Sequence, residues 1–355
     1  MPVETVHSFL AKAWYNSPNS CKQGPYLYML TFADLFCGAG LGARGAVSAG
    51  AKPILAVDSW SMATQTYKSN FPTAEVICSP IESLIPAELA KKHAPDVLLT
   101  SPECTSHSIA RGARPGNEKS KETAISIVPW IEAMEPRWLI VENVNRMKKW
   151  GRHKELIQTI KGHGYEVSDL YLNSADFGAP QARKRMFLVC DRKGTTFNKD
   201  DLINLHRRRK RSARTIIDWS GQYNSRPLYD PKRAKATLAR ADRAIAELGR
   251  GQDFIIVYYG SDYAGGWQSL DVPLRTVTTL DRFGLVTWQN DTPYLRMLQP
   301  PELLKAMGAG AKHKLPHGNR RERVKLCGNG VCSPVMEAIF KKLAKVHSDK
   351  KELTS

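Results

Sequence analysis

The sequence predicts an α/β protein with a doubly wound, mostly parallel sheet and a second, smaller domain. Strand-like and helix-like segments alternate from about residue 28 to residue 190, which is typical of a sheet covered by helices on both faces. A glycine-rich turn follows the first strand and opens a helix, as at the ligand-binding edge of such sheets. From residue 191 onward, basic, aromatic and glycine-rich segments dominate and the periodicity is weak. We therefore expect one domain from residues 1–190 with 326–355, and a second from residues 191–325.

The elements of the first domain are predicted from apolar runs and from the turn residues that bound them. The predicted strands are Leu30–Leu35, Pro53–Val57, Val97–Thr100, Trp138–Val141, Tyr165–Asn173 and Met186–Cys190. The predicted helices are Ala43–Ala49, Ser61–Lys68, Ile125–Met134 and Val335–Leu343. The last two strands are expected to pair antiparallel and finish the sheet, and the last helix is expected to return to the first domain.

The charge balance favours a polyanionic partner. The 355 residues include 52 lysines and arginines against 34 aspartates and glutamates, a formal net charge of +18. Much of this excess is concentrated in residues 207–211 and in the basic residues that follow as far as Arg243. An evenly solvated basic surface is one interpretation, but a clustered excess favours nucleic acid.

The composition also excludes several classes of protein. The seven cysteines are an odd number and include no C-x-x-C pair, so a disulfide framework is not expected. The nine histidines lack the spacing of zinc ligands, so no metal is expected. No uncharged run is long enough to span a bilayer, and residues 1–28 lack the order of a signal peptide. We expect a reduced, cytoplasmic protein that does not engage membranes.

The glycine-rich turn predicts a nucleotide-like cofactor. Gly38, Gly40 and Gly42 follow one strand, and Asp58 ends the next strand about 20 residues later. The glycines let the backbone approach a ligand closely, and the carboxylate can accept hydrogen bonds from ribose hydroxyls. A tight turn alone would also explain the glycines, but the acid in register favours cofactor binding.

Cys104 is a candidate nucleophile because it follows the buried strand Val97–Thr100. An inert buried thiol is the commoner state of an intracellular cysteine. The polar neighbours Glu103 and Thr105 to Ser108, and the basic, glycine-containing segment 110–123, favour a reactive thiol beneath a closing lid.

Glu142 is a candidate acid and Arg183 and Arg185 are candidate anion or carbonyl binders. Glu142 closes an apolar strand, where it either caps a turn or pairs with an arginine, or else carries a raised pKa and protonates a ring nitrogen. Arg183 and Arg185 alternate along one predicted strand and should project the same way. They either form simple ion pairs or hold a carbonyl oxygen and a phosphate.

The chain resembles the cytosine-5 DNA methyltransferases in the order of its motifs, which are the glycine turn, the cysteine, the acid and the paired arginines. The segments Tyr67-x-x-Asn70-Phe71, Arg296 to Glu302 and Gly328 to Val335 are also similar to that family. The resemblance implies a Rossmann-like methyltransferase domain with a smaller DNA-recognition domain. It implies methyl transfer from S-adenosyl-L-methionine to C5 of a cytosine flipped out of double-stranded DNA, through a covalent adduct of Cys104 at C6.

The resemblance further implies the roles of individual residues. The catalytic residues would be Cys104, Glu142, Arg183 and Arg185. The residues that hold S-adenosyl-L-methionine would be Phe36, Gly38, Ala39, Gly40, Leu41, Asp58, Ser59, Ile81, Pro102, Asn329 and Val331. Double-stranded DNA is the expected partner, and the chain is expected to act as a monomer without a metal.

Several positions depart from the family pattern. Pro102-Glu103-Cys104-Thr105 stands where the family has Pro-Pro-Cys-Gln, which puts a carboxylate beside the thiol and disfavours the thiolate unless that carboxylate is paired. Cys78 to Ile81 replaces the usual Gly-Asp-Ile. A tRNA cytosine methyltransferase is the closest alternative, although the Cys-Phe-Thr signature of that branch is absent. A catalytically silent binding protein or a Rossmann oxidoreductase fits fewer of these features.

Overall fold

The computed structural model describes residues 29–102, 125–144, 147, 152–206, 208–260 and 265–352. The strands of this part of the chain are β1 (Thr31–Leu35), β2 (Lys52–Asp58), β3 (Glu75–Cys78), β4 (Val97–Thr100), β5 (Trp138–Val144), β6 (Glu166–Asn173), β7 (Gln181–Ala182), β8 (Lys184–Asp191), β9 (Arg226–Pro227), β10 (Phe254–Val257), β11 (Trp267–Ser269), β12 (Leu274–Arg275), β13 (Phe283–Gln289) and β14 (Thr292–Met297). The α-helices are α1 (Leu41–Ser48), α2 (Ser61–Asn70), α3 (Pro86–Ala90), α4 (Val128–Met134), α5 (His153–Gly162), α6 (Lys199–His206), α7 (Lys235–Leu248), α8 (Pro300–Ala306), α9 (Arg320–Asn329) and α10 (Ser333–Glu352).

A seven-stranded sheet in the order β3-β2-β1-β4-β5-β8-β6 forms the centre of the molecule. Its strands from β3 to β5 pair in parallel, whereas β8 runs antiparallel to both β5 and β6. The predicted mixed, mostly parallel sheet is therefore confirmed, as is the antiparallel pair that finishes it. Most boundaries differ from the prediction by one or more residues, and two of the differences matter for the site: β5 continues to Val144, so Glu142 lies inside the strand, and α1 begins at Leu41 instead of Ala43.

The register of the sheet aligns the carboxyl ends of four neighbouring strands. One residue from each strand lies in a single row, in the order Val57, Leu35, Thr100 and Val141. The residues that come next in the sequence are Asp58, Phe36, Ser101 and Glu142. Because strands lie about 4.8 Å apart, Asp58 and Glu142 mark the two ends of an edge roughly 14 Å wide.

Apolar side chains alternate between the two faces of the sheet, and each face is covered by helices. Phe32 of β1 packs edge-on against Phe340 of α10, with ring centroids 5.4 Å apart. On the other face, Leu98 lies in one cluster with Trp130 and Ile131 of α4. The doubly wound arrangement follows from strands that are apolar on both sides.

The C-terminal segment returns to the first domain, as predicted. Ser333 at the start of α10 donates a 2.7 Å hydrogen bond from Oγ to the carbonyl oxygen of Leu41. A Cβ on Gly45 of α1 would lie 2.1 Å from the carbonyl oxygen of Ser333. Only a glycine therefore allows α1 and α10 to approach this closely.

A second, five-stranded antiparallel sheet in the order β11-β10-β13-β14-β9 is formed by residues 226–297. Phe254 and Ile256 of β10 and Ala241 and Ala244 of α7 form its small core. The short pair β7–β12 joins this region to the segment that leads into β8. The weak periodicity of residues 191–325 did not predict this sheet, and the domain boundaries at 190 and 325 stay a prediction.

Within the described ranges, none of the helices is long and apolar enough to cross a membrane. The same ranges contain no group of three or more His, Cys, Asp or Glu side chains arranged to hold a metal ion.

Candidate active site

The glycine-rich turn lies directly beyond β1 and has an unusual backbone. Phe36, Gly38 and Gly40 all have positive φ angles, of 57°, 52° and 77°. A Cβ on Gly40 would lie 2.6 Å from Cε2 of Phe71, so no other residue fits there. For Phe36 a positive φ is strained, and such strain is kept where the backbone must present a specific shape.

Asp58 joins this turn to the start of α2. Its Oδ2 accepts a 2.9 Å hydrogen bond from the Gly38 backbone N–H, and its Oδ1 accepts one of 2.9 Å from the Trp60 N–H. Burial raises the pKa of Asp58, while these two hydrogen bonds and the charge of Lys325 act in the opposite direction. Each carboxylate oxygen can accept more than one hydrogen bond, so Asp58 can position the turn and still bind a hydroxyl.

Several of the other predicted cofactor residues surround this turn. Ala39 is buried against Ala63 and Leu326, and Ile81 is buried in the apolar cluster against which Phe36 packs. Ser59 is exposed at the carboxyl end of β2. The next side chain, Trp60, lies under the Lys325 ammonium at 4.4 Å from its ring centroid.

The C-terminal segment around residues 329–331 packs beside the start of α1, next to the glycine-rich turn. A Cβ on Gly330 would lie 2.2 Å from Cδ1 of Leu41, and one on Gly42 would lie 3.4 Å from Cβ of Val331. Asn329 ends α9 and is exposed next to this contact. The structure thus brings Leu41, Asn329 and Val331 together with the glycine turn, although they are far apart in the sequence.

These residues fit a cofactor that carries a ribose. Gly38 and Gly40 place no side chain at two positions of the turn, and Asp58 provides a carboxylate beside it. S-adenosyl-L-methionine would be held by this turn, by Asp58 and by the return segment around Val331. The contacts themselves stay a prediction.

Glu142 occupies the other end of the edge. It is 6% exposed, and its Oε1 lies 3.3 Å from Nε of Arg185 in an ion pair. Burial raises the pKa of Glu142, and the charges of Arg185 and Arg183 act in the opposite direction. A buried carboxyl of this kind can hold a proton at a pH where an exposed glutamate is ionised.

The two arginines of the predicted pair have different surroundings. Arg185 belongs to β8 and is partly exposed, whereas Arg183 lies between β7 and β8 and is 4% exposed. Both guanidinium groups approach Glu142 closely enough to lower its pKa. Arg183 is also fastened by hydrogen bonds of 2.9 Å from Nη1 to the Val277 carbonyl and from Nη2 to the Gly328 carbonyl. The prediction that the two residues alternate along one strand is therefore wrong in that only Arg185 belongs to a strand.

The segment that leads to Cys104 is tied to the same edge. Asn143 donates from Nδ2 to the carbonyl oxygen of buried Pro102 at 3.4 Å, and Ser101 donates from Oγ to the Phe36 carbonyl at 3.2 Å. Ser101 and Pro102 thus lie between the glycine turn and the acid. Cys104 and Glu103 lie outside the described residues, so the role of Cys104 stays a prediction.

A buried ion pair holds β14 of the second sheet against the start of α8. Arg296 donates from Nη1 and Nη2 to the two carboxylate oxygens of Glu302, at 2.8 and 2.7 Å. The same carboxylate accepts from the backbone N–H groups of Gln299 and Asp218, at 2.7 and 2.9 Å. These contacts explain why Arg296 and Glu302 occur in one motif.

Two buried polar residues of this region, Asn143 and Gln181, were not among the predicted site residues. Asn143 connects β5 to Pro102, and Gln181 is fully buried, accepting from the Val277 N–H at 2.7 Å. Asn143 is a polar residue next to the apolar run 138–141, which is the signal that could have identified it, whereas Gln181 lies outside every predicted strand. Lys325 over Trp60 had no such signal, because only the fold brings the two together.

Comparison with known proteins agrees with this geometry. Over 192 residues the chain is 31% identical to the type II methyltransferase M.HgiDI of Herpetosiphon aurantiacus, and the match covers 53% of this chain and 60% of that protein. Over 144 residues it is 28% identical to the human tRNA (cytosine(38)-C(5))-methyltransferase, covering 39% of this chain and 36% of that protein. The chain therefore spans less than two thirds of either relative.

A solved structure of a putative DNA modification methyltransferase encoded within an E. coli prophage has the same fold. It superposes with a TM-score of 0.64 at 17% identity, covering 90% of this chain and all of that chain. Residues 30–345 match the family described as C-5 cytosine-specific DNA methylase. With the glycine turn, Glu142 and the return segment assembled on one edge, the chain belongs to the C-5 cytosine-specific DNA methylase family.

Proposed function

We propose that this protein transfers a methyl group from S-adenosyl-L-methionine to C5 of a cytosine in double-stranded DNA. The observation that carries the proposal is the common edge on which Asp58, Phe36, Ser101 and Glu142 follow one row of paired residues. The cofactor turn, the segment that leads to Cys104 and the acid then lie side by side, and such proximity favours methyl transfer to a bound pyrimidine.

Glu142 would hold the pyrimidine ring. A carboxyl whose pKa is raised by burial can donate a hydrogen bond to N3 of cytosine and stabilise the ring as it becomes electron-rich. Arg185, 3.3 Å from this carboxyl, keeps it oriented and offers its remaining N–H groups to O2. Arg183 would act mainly as a positioning residue, because both of its terminal nitrogens are committed to backbone carbonyls.

Cys104 would act as the nucleophile. Its thiolate adds to C6 and is expelled again after C5 has lost its proton. The bound cofactor supplies the methyl group. The base must leave the duplex to reach this edge, which costs a few kcal/mol that contacts between the basic chain and the DNA backbone would offset.

The test is bisulfite sequencing of plasmid DNA from a host without cytosine-5 methylation that expresses this chain. We expect 5-methylcytosine at one recurring sequence and none with the variant Cys104→Ser, because a hydroxyl is too weak a nucleophile at neutral pH. Unmodified DNA from cells that contain folded wild-type protein would refute the proposal.

A tRNA substrate is the second candidate, because the human tRNA methyltransferase is among the relatives. Bisulfite sequencing of small RNA from the same cells separates the two functions. Methylated tRNA with unmodified plasmid would favour the tRNA reaction, whereas methylated plasmid with unmodified tRNA would favour DNA.

A further inference from the structure

The connection between α6 and the second sheet begins with a basic run, residues 208–211, which we call the basic strap. Its side chains are all exposed, and they are Arg208, Arg209, Lys210 and Arg211. Arg208 donates from Nη2 to Oε1 of Glu337 in α10 at 3.0 Å. Nζ of Lys210 lies 3.4 Å from Oδ1 of Asp176, in the turn that follows β6. Two acids of the catalytic region therefore hold every second residue of the strap.

The backbone of the strap is fixed at both ends. A Cβ on Gly178 would lie 2.8 Å from Cβ of Arg208, so the strap crosses the Gly178 turn in close contact. Just beyond the strap, the Ala213 N–H donates to the Val272 carbonyl at 2.8 Å, and the Arg214 N–H donates to the Leu270 carbonyl at 3.0 Å. The strap is therefore a held surface and not a free chain of charges.

The strap divides its charges between two sides. Arg208 and Lys210 are two positions apart and both turn towards acids, and side chains with this spacing project the same way from an extended chain. Arg209 and Arg211 therefore project to the other side. Within the described ranges, neither of these two guanidinium groups forms an ion pair or a hydrogen bond.

The strap lies along the catalytic edge of the first sheet. Val144 of β5, Arg185 of β8 and Leu172 of β6 form one row, and β6 runs in the same direction as β5. The carboxyl end of β6 is therefore at the same edge as Glu142, and the turn that holds the strap follows it directly. Two strand spacings of about 4.8 Å separate β6 from β5, which puts the strap roughly 10 Å along the edge from the strand that carries the acid.

We infer that Arg209 and Arg211 bind backbone phosphates of the double-stranded DNA on one side of the target cytosine. A guanidinium matches the geometry of a phosphate and can donate two hydrogen bonds to it. A separation of roughly 10 Å corresponds to about three base-pair steps of 3.4 Å, so the phosphates belong to the flank of the target site. Such contacts position the duplex without reading its sequence. This inference rests on the proposed function.

The test measures DNA binding and does not depend on turnover. Fluorescence anisotropy of labelled duplexes gives the affinity at several salt concentrations for the wild type and for the double variant Arg209→Gln/Arg211→Gln. The control is Lys52→Gln/Lys92→Gln, which removes the same charge from two exposed positions. Lys52 begins β2 and Lys92 precedes β4, so both lie near the amino-terminal edge of the sheet, away from the catalytic edge.

On a duplex with about 12 base pairs on each side of the target, the arginine variant should bind about 3- to 30-fold more weakly. The slope of log K against log salt should become shallower by about 1 to 2, as expected for the loss of two phosphate contacts. The same loss is expected on a duplex of unrelated sequence, because phosphates carry no sequence information. The lysine control should stay within about 2-fold of the wild type.

Trimmed duplexes locate the contact. One duplex keeps about two base pairs to the left of the target and a full flank to the right, and the other has the reverse arrangement. The arginine variant should bind more weakly than the wild type to one of these duplexes and equally well to the other, because the strap lies on one side of the acid.

Three results would overturn the inference. Wild-type affinity of the arginine variant would leave the strap without a role in binding, and an equal loss in the lysine control would assign the effect to net charge alone. A similar loss on both trimmed duplexes would remove the one-sided contact. Failure of the proposed function shows separately, as wild-type protein that binds no duplex and leaves plasmid DNA unmodified.

Discussion

Arg183 donates from Nη2 to the carbonyl oxygen of Gly328 at 2.9 Å, across 145 positions of the chain. Its Nη1 donates to the Val277 carbonyl at the same distance. One buried guanidinium therefore joins the β7–β8 connection, the loop before β13 and the end of α9. Its planar fork of five donors can reach two carbonyls at once, which the compact ammonium of a lysine cannot do.

The first prediction compares Arg183→Lys with Arg185→Lys. Arg183→Lys should lower the free energy of unfolding by about 1–3 kcal/mol, because one ammonium cannot reach both carbonyls and leaves a buried acceptor without a partner. Arg185→Lys, at a partly exposed position, should cost less than about 1 kcal/mol yet slow methyl transfer. Urea denaturation followed by circular dichroism measures the stability of both variants, and single-turnover methylation measures their rates. Equal destabilisation by the two substitutions would contradict this division of roles.

Gly328 offers a second comparison, with a matched glycine elsewhere. In Gly328→Ala the new Cβ would meet the Thr278 backbone at 2.3 Å, and neither α9 nor the loop can move freely. We expect a loss of about 1–3 kcal/mol of stability. Gly162→Ala, at the last residue of α5 with nothing within 4 Å of its Cβ, should be neutral or stabilise by up to about 1 kcal/mol. Thermal unfolding of both variants measures the two effects. A Gly328→Ala protein as stable as the wild type would disprove the tight contact between Gly328 and the Thr278 backbone.

The sequence predicted the sheet and the position of Asp58 at the end of its strand because those features are local. Val97–Thr100 was predicted with its observed bounds, since a short apolar run between polar residues has few other interpretations. Asp58 was placed because the acid follows its own strand directly. The difference in environment between Arg183 and Arg185 was not predictable, because it arises from Val277 and Gly328, which come from distant segments. The second sheet was missed for a related reason: strands as short as β9 and β11 carry too little periodicity to be recognised.

The third prediction concerns His313, in the connection between α8 and α9. The imidazole is 2% exposed, and burial, assisted by the Arg44 charge, lowers its pKa to about 3. In the unfolded chain a histidine binds a proton below about pH 6.5, but the folded protein does not until about pH 3. Stability that is present above pH 6.5 is therefore lost as the pH falls, by about 1.4 kcal/mol per pH unit.

His313→Phe cannot bind this proton and should remove that part of the acid sensitivity. The free energy of unfolding in urea is measured at pH 7.5 and at pH 4.5 for both proteins. Relative to its own value at pH 7.5, the variant should lose about 2–3 kcal/mol less than the wild type at pH 4.5. The same pH dependence in both proteins would mean that His313 is protonated in the folded state.

The fourth prediction concerns the cofactor end of the edge. Asp58→Ala should weaken S-adenosyl-L-methionine binding by about 1–3 kcal/mol, or about 5- to 150-fold in Kd. The substitution removes an acceptor for a ribose hydroxyl, and it also releases the Gly38 and Trp60 N–H groups whose hydrogen bonds shape the turn. Isothermal titration calorimetry measures the affinity. Glu75→Gln, an exposed acid at the start of β3, is the control. Unchanged affinity in Asp58→Ala would place the ribose elsewhere.

The last prediction follows from the raised pKa of Glu142. If the protonated carboxyl donates to the base, methyl transfer must decline at high pH as Glu142 ionises, while the rise at low pH reflects the Cys104 thiolate. Because Arg185 is the largest influence that lowers this pKa, Arg185→Gln should raise it further and move the high-pH decline to higher pH. Glu142→Gln, which cannot titrate, should be slower throughout and lack the decline.

The same raised pKa of Glu142 stabilises the fold most at pH values below about 4.5, the ordinary pKa of a glutamate. This contribution is lost as the pH rises through the folded-state value. The free energy of unfolding of Glu142→Gln should therefore improve relative to wild type as the pH increases. Single-turnover rates from pH 5.5 to 9 and urea unfolding over the same range measure both effects. A high-pH decline that fails to move to higher pH in Arg185→Gln would show that a group other than Glu142 causes it.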